Sequence, residues 1–184
     1  MNSKSSIVMK HTRIQTIVLI SMCTAIIAVL SQFSIPLPSG VPLTLQTFAI
    51  ALTGYVLGAK AGCISTGIYI LLGTIGVPIF SNFRGGISIL FDKTGGFLFG
   101  FLMMSTLCGV AIRFKNRYYN ILLVLFSLTG LISCHIVGTL QFSLLAHTDF
   151  ISSAIAVSLP YLFKDTICVL LAYFTSLSIR KAVY

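Results

Sequence analysis

The chain has 184 residues, 57% of them hydrophobic and only 8% charged, with a net charge of +9 and a mean hydropathy of +1.03. A soluble domain carries roughly 25% charged residues to keep its surface solvated, so a water-facing globule is excluded and a lipid bilayer is the solvent that fits. The basic excess does not point to nucleic acid, because Lys and Arg sit in short clusters between long apolar runs and are not interleaved with aromatics.

A spanning helix needs about 20 mostly apolar residues. The first run, Ile14 to about Phe33, meets that length and exceeds a signal-peptide core; no small-x-small cleavage site follows before Pro36. Ser34 to Gly40 is a Pro/Gly/Ser connection. A second helix is expected from about Thr44 to Gly58, a tight turn at Ala59-Lys60, and a third helix from about Ala61 to Gly76. Val77 to Thr94 reads as irregular, with Pro78, Gly85, Gly86, Arg84, Asp92 and Lys93. A fourth helix runs from Gly95 to about Ile112 and ends in a basic turn of Arg113, Lys115 and Arg117. The fifth covers about Tyr119 to Leu145; His147 and Asp149 mark a solvated loop; the sixth covers about Ser152 to Ile179, interrupted at Pro160. The fold class is therefore an all-α integral membrane protein, multi-pass, with six transmembrane helices in a single domain.

Orientation follows from Lys and Arg placement. With the N-terminus inside, the inner segments hold Lys4, Lys10, Arg13, Lys60, Arg113, Lys115, Arg117, Arg180 and Lys181, against Arg84 and Lys93 outside. Nine against two predicts both termini inside and the Val77–Thr94 loop outside. Small residues recur at helix-contact spacing: Gly54/Gly58, Gly96/Gly100, and Gly130, Cys134 and Gly138. Such stripes let backbones approach closely where packing, not hydrophobicity, drives helix association. The five cysteines fall in different apolar runs without a Cys-x-x-Cys pair, which reads as packing, with no metal or redox cofactor.

Charges within a spanning segment are expensive and mark function. Lys164 and Asp165, in the outer part of the sixth helix, are the leading candidates; neighbours point about 100° apart, so they need not satisfy each other and are free to address different ends of one ligand or different helices, the alternative being a structural ion pair. Arg84 is the second, a planar donor fork suited to a carboxylate, flanked by Gly85 and Gly86, which permit tight turns and close approach to a ligand. The third is the start of helix 2, where Gln46 donates and accepts beside the free N–H groups of a helix N-terminus. Positive-inside topology puts all three at one face, where Phe80, Phe83, Phe91 and Tyr161 would wall a pocket and Tyr69 would floor it. His135 is expected to be a neutral histidine bonded to a neighbouring helix. There is no P-loop, no Glu and no Gly-x-Ser-x-Gly, so no catalytic residue is assigned.

Four stretches carry a resemblance: Val41-Pro42-Leu43-Thr44-Leu45-Gln46-Thr47-Phe48, Gly73-Thr74-Ile75-Gly76-Val77-Pro78-Ile79-Phe80, Phe83-Arg84-Gly85-Gly86 leading to Thr94-Gly95-Gly96-Phe97, and Pro160-Tyr161-Leu162-Phe163-Lys164-Asp165. In this order they resemble the BioY family, the biotin-binding S components of energy-coupling-factor (ECF) transporters, over residues 14 to 181. The resemblance implies an S-component bundle in the bacterial cell membrane and high-affinity biotin capture. It also implies association with a membrane T component and two ABC-type ATPases, which would do the ATP hydrolysis; biotin is then cargo and not a cofactor. Asp165 would accept the ureido N–H groups, Asn82 would complete those contacts, and Arg84 or Lys164 would neutralise the valerate carboxylate. Many members read Gly-Asp-x-x-Lys in helix 6; here Lys164 precedes Asp165 and Cys168 stands in the place of that Lys. An S component for another vitamin, a stand-alone facilitator and an intramembrane enzyme based on His135 are the competing readings.

Overall fold

The computed structural model describes residues 3–37, 40–114 and 118–183. It is mostly helical. The helices are α1 (Ser3–Ser31), α2 (Gln46–Leu57), α3 (Ala59–Thr74), α4 (Gly95–Ala111), α5 (Tyr119–Ala146), α6 (Phe150–Val157) and α7 (Leu159–Val183). Three of them are long and apolar enough to cross a membrane, over Arg13–Ser31, Tyr119–Ala146 and Leu159–Ala182. The helices α2 and α4 are apolar but shorter, at 12 and 17 residues. At 1.5 Å per residue α2 spans about 18 Å, less than a hydrocarbon core. Of the basic turn expected after α4, Lys115 and Arg117 lie outside the described residues, as do Pro38 and Ser39 of the first connection.

The connection after α1 is not wholly irregular. Ser34–Ile35 (β1) and Leu43–Thr44 (β2) pair antiparallel, Ser34 opposite Thr44. A single residue, Gly58, parts α2 from α3; its φ of +81° is the reason a glycine stands there. The Val77–Thr94 loop contains two 3₁₀ turns, Ser81–Phe83 and Ile87–Phe91. It is tied to α1 by Gln32, whose Nε2 donates to the Ile79 carbonyl at 2.9 Å and whose Oε1 accepts from the Phe83 N–H at 2.9 Å.

The expected sixth helix is two helices. The α6 segment begins at Asp149, whose carboxylate accepts the Ser152 N–H at 2.9 Å, so this loop residue is exposed but also caps a helix. That bond holds the Asp149 carboxyl below the usual carboxylate range. The chain breaks at Ser158, because Pro160 has no N–H to continue the ladder and fits only the first turn of a new helix.

The most extensive helix contact is α4 on α5, and α7 packs along α2 while meeting α5 at few points. The small-residue stripes supply the close approach: a Cβ on Gly100 would lie 2.6 Å from the Cys134 Cα. The core of Ile27, Ile50, Tyr55, Tyr69, Met104 and Leu131 runs between these helices, and a second cluster of Val41, Phe142, Val157 and Tyr161 closes the end that carries β1 and β2. Among the described residues the five cysteines are unbonded, four buried and Cys63 half-buried.

Candidate functional site

A cavity of about 660 Å³, mouth included, opens between α2, α4, α5 and α7 near the β1–β2 end. Its lining follows helical periodicity. Thr94, Phe97, Leu98 and Phe101 come from the start of α4; Leu131, Cys134 and His135 from α5; Val157, Tyr161, Lys164 and Asp165 from the α6–α7 junction. The spacing i, i+3, i+4, i+7 puts the α4 and α5 sets each on one helix face, and Tyr161, Lys164 and Asp165 on one face of α7. The strand β2 and the start of α2 add Val41, Pro42, Thr44, Gln46 and Thr47; the loop adds Phe80, Ser81 and Ile89.

Asp165 is the chemical centre, 5% exposed. Lys164 Nζ lies 2.5 Å from Oδ1, so the ammonium holds that oxygen directly. His135 Nε2 lies 3.2 Å from Oδ2, and the Thr47 hydroxyl faces the same carboxylate. Of the arrangements open to these neighbours the structure has the ion pair: the flexible four-carbon stem of Lys164 folds back onto Asp165. The same ammonium donates to the Thr44 carbonyl at 2.8 Å, tying β2 to α7. A buried charge pair persists only where further polar contacts satisfy it, and those of Thr44, Thr47 and His135 do so here.

Gln46 is buried in the lining; its Nε2 donates to the Tyr69 hydroxyl at 2.6 Å and its Oε1 accepts from the Thr44 hydroxyl at 3.2 Å. Tyr69 therefore backs the floor through Gln46 and does not itself line the cavity. It is fully buried and stands edge-on to Phe80, ring centroids 5.4 Å apart. Tyr161 lines the wall and donates its hydroxyl hydrogen to the Val41 carbonyl.

The structure brings Gln46, Phe80, Tyr161, Lys164 and Asp165 together and leaves Asn82, Arg84, Gly85 and Gly86 out of the lining. Arg84 donates to Asp92 at 2.6 Å on an exposed surface, and this hydrogen bond holds the Asp92 carboxyl below its ordinary range. Asn82, in the left-handed region at φ +60°, accepts from the Ser34 hydroxyl at 2.6 Å. Gly85 meets the Val77 carbonyl so closely that a Cβ would stand 2.5 Å from it, and the Gly86 N–H donates to Gly73 O at 2.7 Å. The glycines thus serve close approach as expected, but to protein backbone. Phe83 and Phe91 are exposed, at 71% and 73%, where Phe80 and Tyr161 are walls. Sequence reasoning missed Phe97, Phe101 and Leu131 as lining, although the periodicity of α4 held the signal for the two phenylalanines.

Compared with known proteins, the chain matches the BioY family over residues 1–184. It is 34% identical over 175 residues to the biotin transporter BioY2 of Lactococcus lactis subsp. cremoris, covering 95% of each chain. It is 36% identical over 159 residues to the biotin transporter BioY of Thermotoga maritima, covering 86% of this chain and 91% of that one. A crystal structure of the S component for biotin from an ECF-type ABC transporter superposes with a TM-score of 0.81 at 27% identity, covering 93% of each chain.

Proposed function

The chain belongs to the BioY family, and from that membership we propose that it is the S component of an ECF transporter and takes up biotin. It is a transport component of the membrane and not an enzyme. The whole chain acts as one substrate-binding domain in the bacterial cell membrane. It has six passes, α6 and α7 together forming the last, and both termini are cytoplasmic. The charge count supports this orientation, since nine Lys and Arg then face inward against Arg84 and Lys93 outward. The cavity mouth then opens to the exterior.

The observation that carries the reading is the buried Asp165, paired with Lys164, in a cavity whose apolar walls are Phe80, Phe97, Leu98, Phe101 and Leu131. An anionic acceptor in a partly aromatic slot suits a compact bicyclic ligand that carries an N–H donor. Asp165 accepts a ureido N–H and the aromatic walls enclose the fused rings. Lys164 is the cation within the lining and neutralises the excess charge. Asn82 and Arg84 belong to the loop whose Phe80, Ser81 and Ile89 line the cavity, and would meet the valerate end. Arg84 meets a carboxylate there only by giving up Asp92. A T component and two ABC-type ATPases supply the energy, for which this chain carries no P-loop.

The test is equilibrium binding of biotin to purified protein in detergent, with mass spectrometry of the co-purified ligand. Wild-type protein binds biotin tightly, and Asp165→Asn loses about a hundredfold or more in affinity, as expected for a charge-assisted bond in a dry site. Wild-type affinity in Asp165→Asn, or a different vitamin in the mass spectrum, would overturn the assignment.

A further inference from the structure

The helices α5 and α7 touch at few points, and the seam between them holds two cavities that share Tyr173. The first, about 800 Å³ with its mouth, lies at the end of the bundle that carries the C-terminus. Phe114 and Tyr119 line it from the start of α5, and Tyr173, Ser176 and Arg180 from α7. Beyond Tyr173 the seam continues as a groove of about 680 Å³, mouth included. Leu123, Val124 and Leu128 of α5 and Val169 and Leu170 of α7 wall this groove. It ends at Leu131, which also lines the ligand cavity.

The two cavities differ in chemistry. In the first, Arg180 Nη1 donates to the Tyr55 carbonyl at 3.1 Å, which fixes the guanidinium against the last turn of α2. The Tyr119 and Tyr173 hydroxyls lie 3.3 Å apart. Here α5 also begins without a side-chain cap, so the positive end of its dipole lies at the same place. None of the three acidic residues of the chain lines this cavity. A guanidinium, two phenolic hydroxyls and a helix N-terminus together select an anion. The groove is hydrocarbon, because its Ser127 and Thr166 hydroxyls donate back to the Leu123 and Leu162 carbonyls. From Leu123 to Leu131 is about 12 Å of helix, most of the roughly 15 Å depth of one leaflet. Any apolar helix face meets lipid; this one is concave and leads into a basic cavity.

We propose that the α5–α7 seam is a binding site for one anionic phospholipid of the inner leaflet. The headgroup phosphate lies beside Arg180 and the tyrosine hydroxyls, and one acyl chain lies in the groove between Leu128 and Leu170. The choice of leaflet rests on the orientation proposed above; the site itself does not depend on biotin. Charge selects the headgroup, since basic pockets between helices on the cytoplasmic side attract anionic lipid. Packing selects the chain, since in lipid the fit between surfaces, and not hydrophobicity, decides what fills a seam. A free phosphate would use only the first cavity, whereas a phospholipid uses both.

The experiment is native mass spectrometry of the delipidated full chain in detergent, titrated separately with phosphatidylglycerol, phosphatidylcholine and glycerol 3-phosphate. It compares wild type with Arg180→Gln, Leu128→Trp and Lys60→Gln, each checked for folding by circular dichroism. Leu128 is 40% exposed, so a Trp there fills the groove without entering the core. Wild type should bind one phosphatidylglycerol about fivefold more tightly than phosphatidylcholine, the factor one basic residue contributes near a membrane surface, and glycerol 3-phosphate far more weakly. Arg180→Gln should lose that preference. Leu128→Trp should weaken both lipids about tenfold. Lys60→Gln, which removes an exposed cation outside the cavity, should change neither. Equal binding of the two lipids by wild type, or an undiminished preference in Arg180→Gln, would overturn the headgroup site. Unchanged lipid binding in Leu128→Trp would overturn the groove. Glycerol 3-phosphate bound as tightly as phosphatidylglycerol would make the cavity a site for free anions, and an equal loss in Lys60→Gln would make the attraction diffuse; either overturns the proposal. If Arg180→Gln does not fold, the wild-type comparison and Leu128→Trp decide. Biotin binding is read separately, so none of these outcomes bears on the biotin reading.

Discussion

Lys164 Nζ donates to the Thr44 carbonyl at 2.8 Å while lying 2.5 Å from Asp165 Oδ1, so one cation serves the β-hairpin and the buried carboxylate at once. Removing it strands a charge in an apolar cavity, which is far costlier than the pair itself is stabilising. Lys164→Met should destabilise the folded protein by about 2–4 kcal/mol, read as a lowered unfolding midpoint in detergent. The double variant Lys164→Met/Asp165→Asn should recover most of that loss yet not bind biotin. A double variant as unstable as the single one would show that the bond to Thr44, and not the stranded charge, carries the effect.

Arg84 and Asp92 pair on the surface, with side chains 45% and 39% exposed. Exposed pairs contribute under about 1 kcal/mol, so Arg84→Gln should leave thermal stability nearly unchanged. Because Arg84 holds the Asp92 carboxyl below its ordinary value, the folded state gains stability from this group above that ordinary value, about pH 3.9. The gain is lost as pH falls through the depressed folded-state value. Arg84→Gln should weaken this acid-limb dependence, leaving the part that the Lys93 N–H and ammonium supply. A biotin affinity reduced more than about tenfold, or 1.4 kcal/mol, would place Arg84 on the ligand carboxylate.

Gln46 is oriented by Tyr69, whose hydroxyl accepts its Nε2 hydrogen at 2.6 Å. Tyr69→Phe keeps the ring against Phe80 and leaves that amide without its acceptor. The cost should be about 1–3 kcal/mol, with a several-fold fall in biotin affinity measured by titration. Tyr69→Phe with unchanged stability would show that the amide finds another acceptor.

Gly100 touches α5 where a Cβ would stand 2.6 Å from the Cys134 Cα. Gly100→Ala must push α4 from α5, at about 1–3 kcal/mol. Since Phe97 and Phe101 on α4 and His135 on α5 all line the cavity, biotin affinity should fall with stability. Loss of stability at full affinity would show that the helices separate below the site.

Much of the site was legible because intramembrane charge is rare: with three acidic residues in the chain, Asp165 and Lys164 stand out. Gln46 and Tyr161 were legible from their motifs, and Gly96 and Gly100 from their spacing. Arg84 was not legible as a surface partner of Asp92, because a loop has no periodicity to say which way a side chain turns. The contact of Ser158 Oγ with His135 Nδ1 at 3.1 Å was hidden for a related reason, since a proline announces a break but not what the freed backbone then presents.

The amino-acid sequence by itself determined the solvent, the apolar helices and the identity of the buried carboxylate, because transfer to lipid depends on composition and length and each is summed along the chain. Only the tertiary structure decided which groups meet: that Lys164 turns back to Asp165, that His135 reaches it from α5, and that Arg84 stays with Asp92. Hydrogen bonds and ion pairs act over about 3 Å, a distance fixed by how helices far apart in sequence cross.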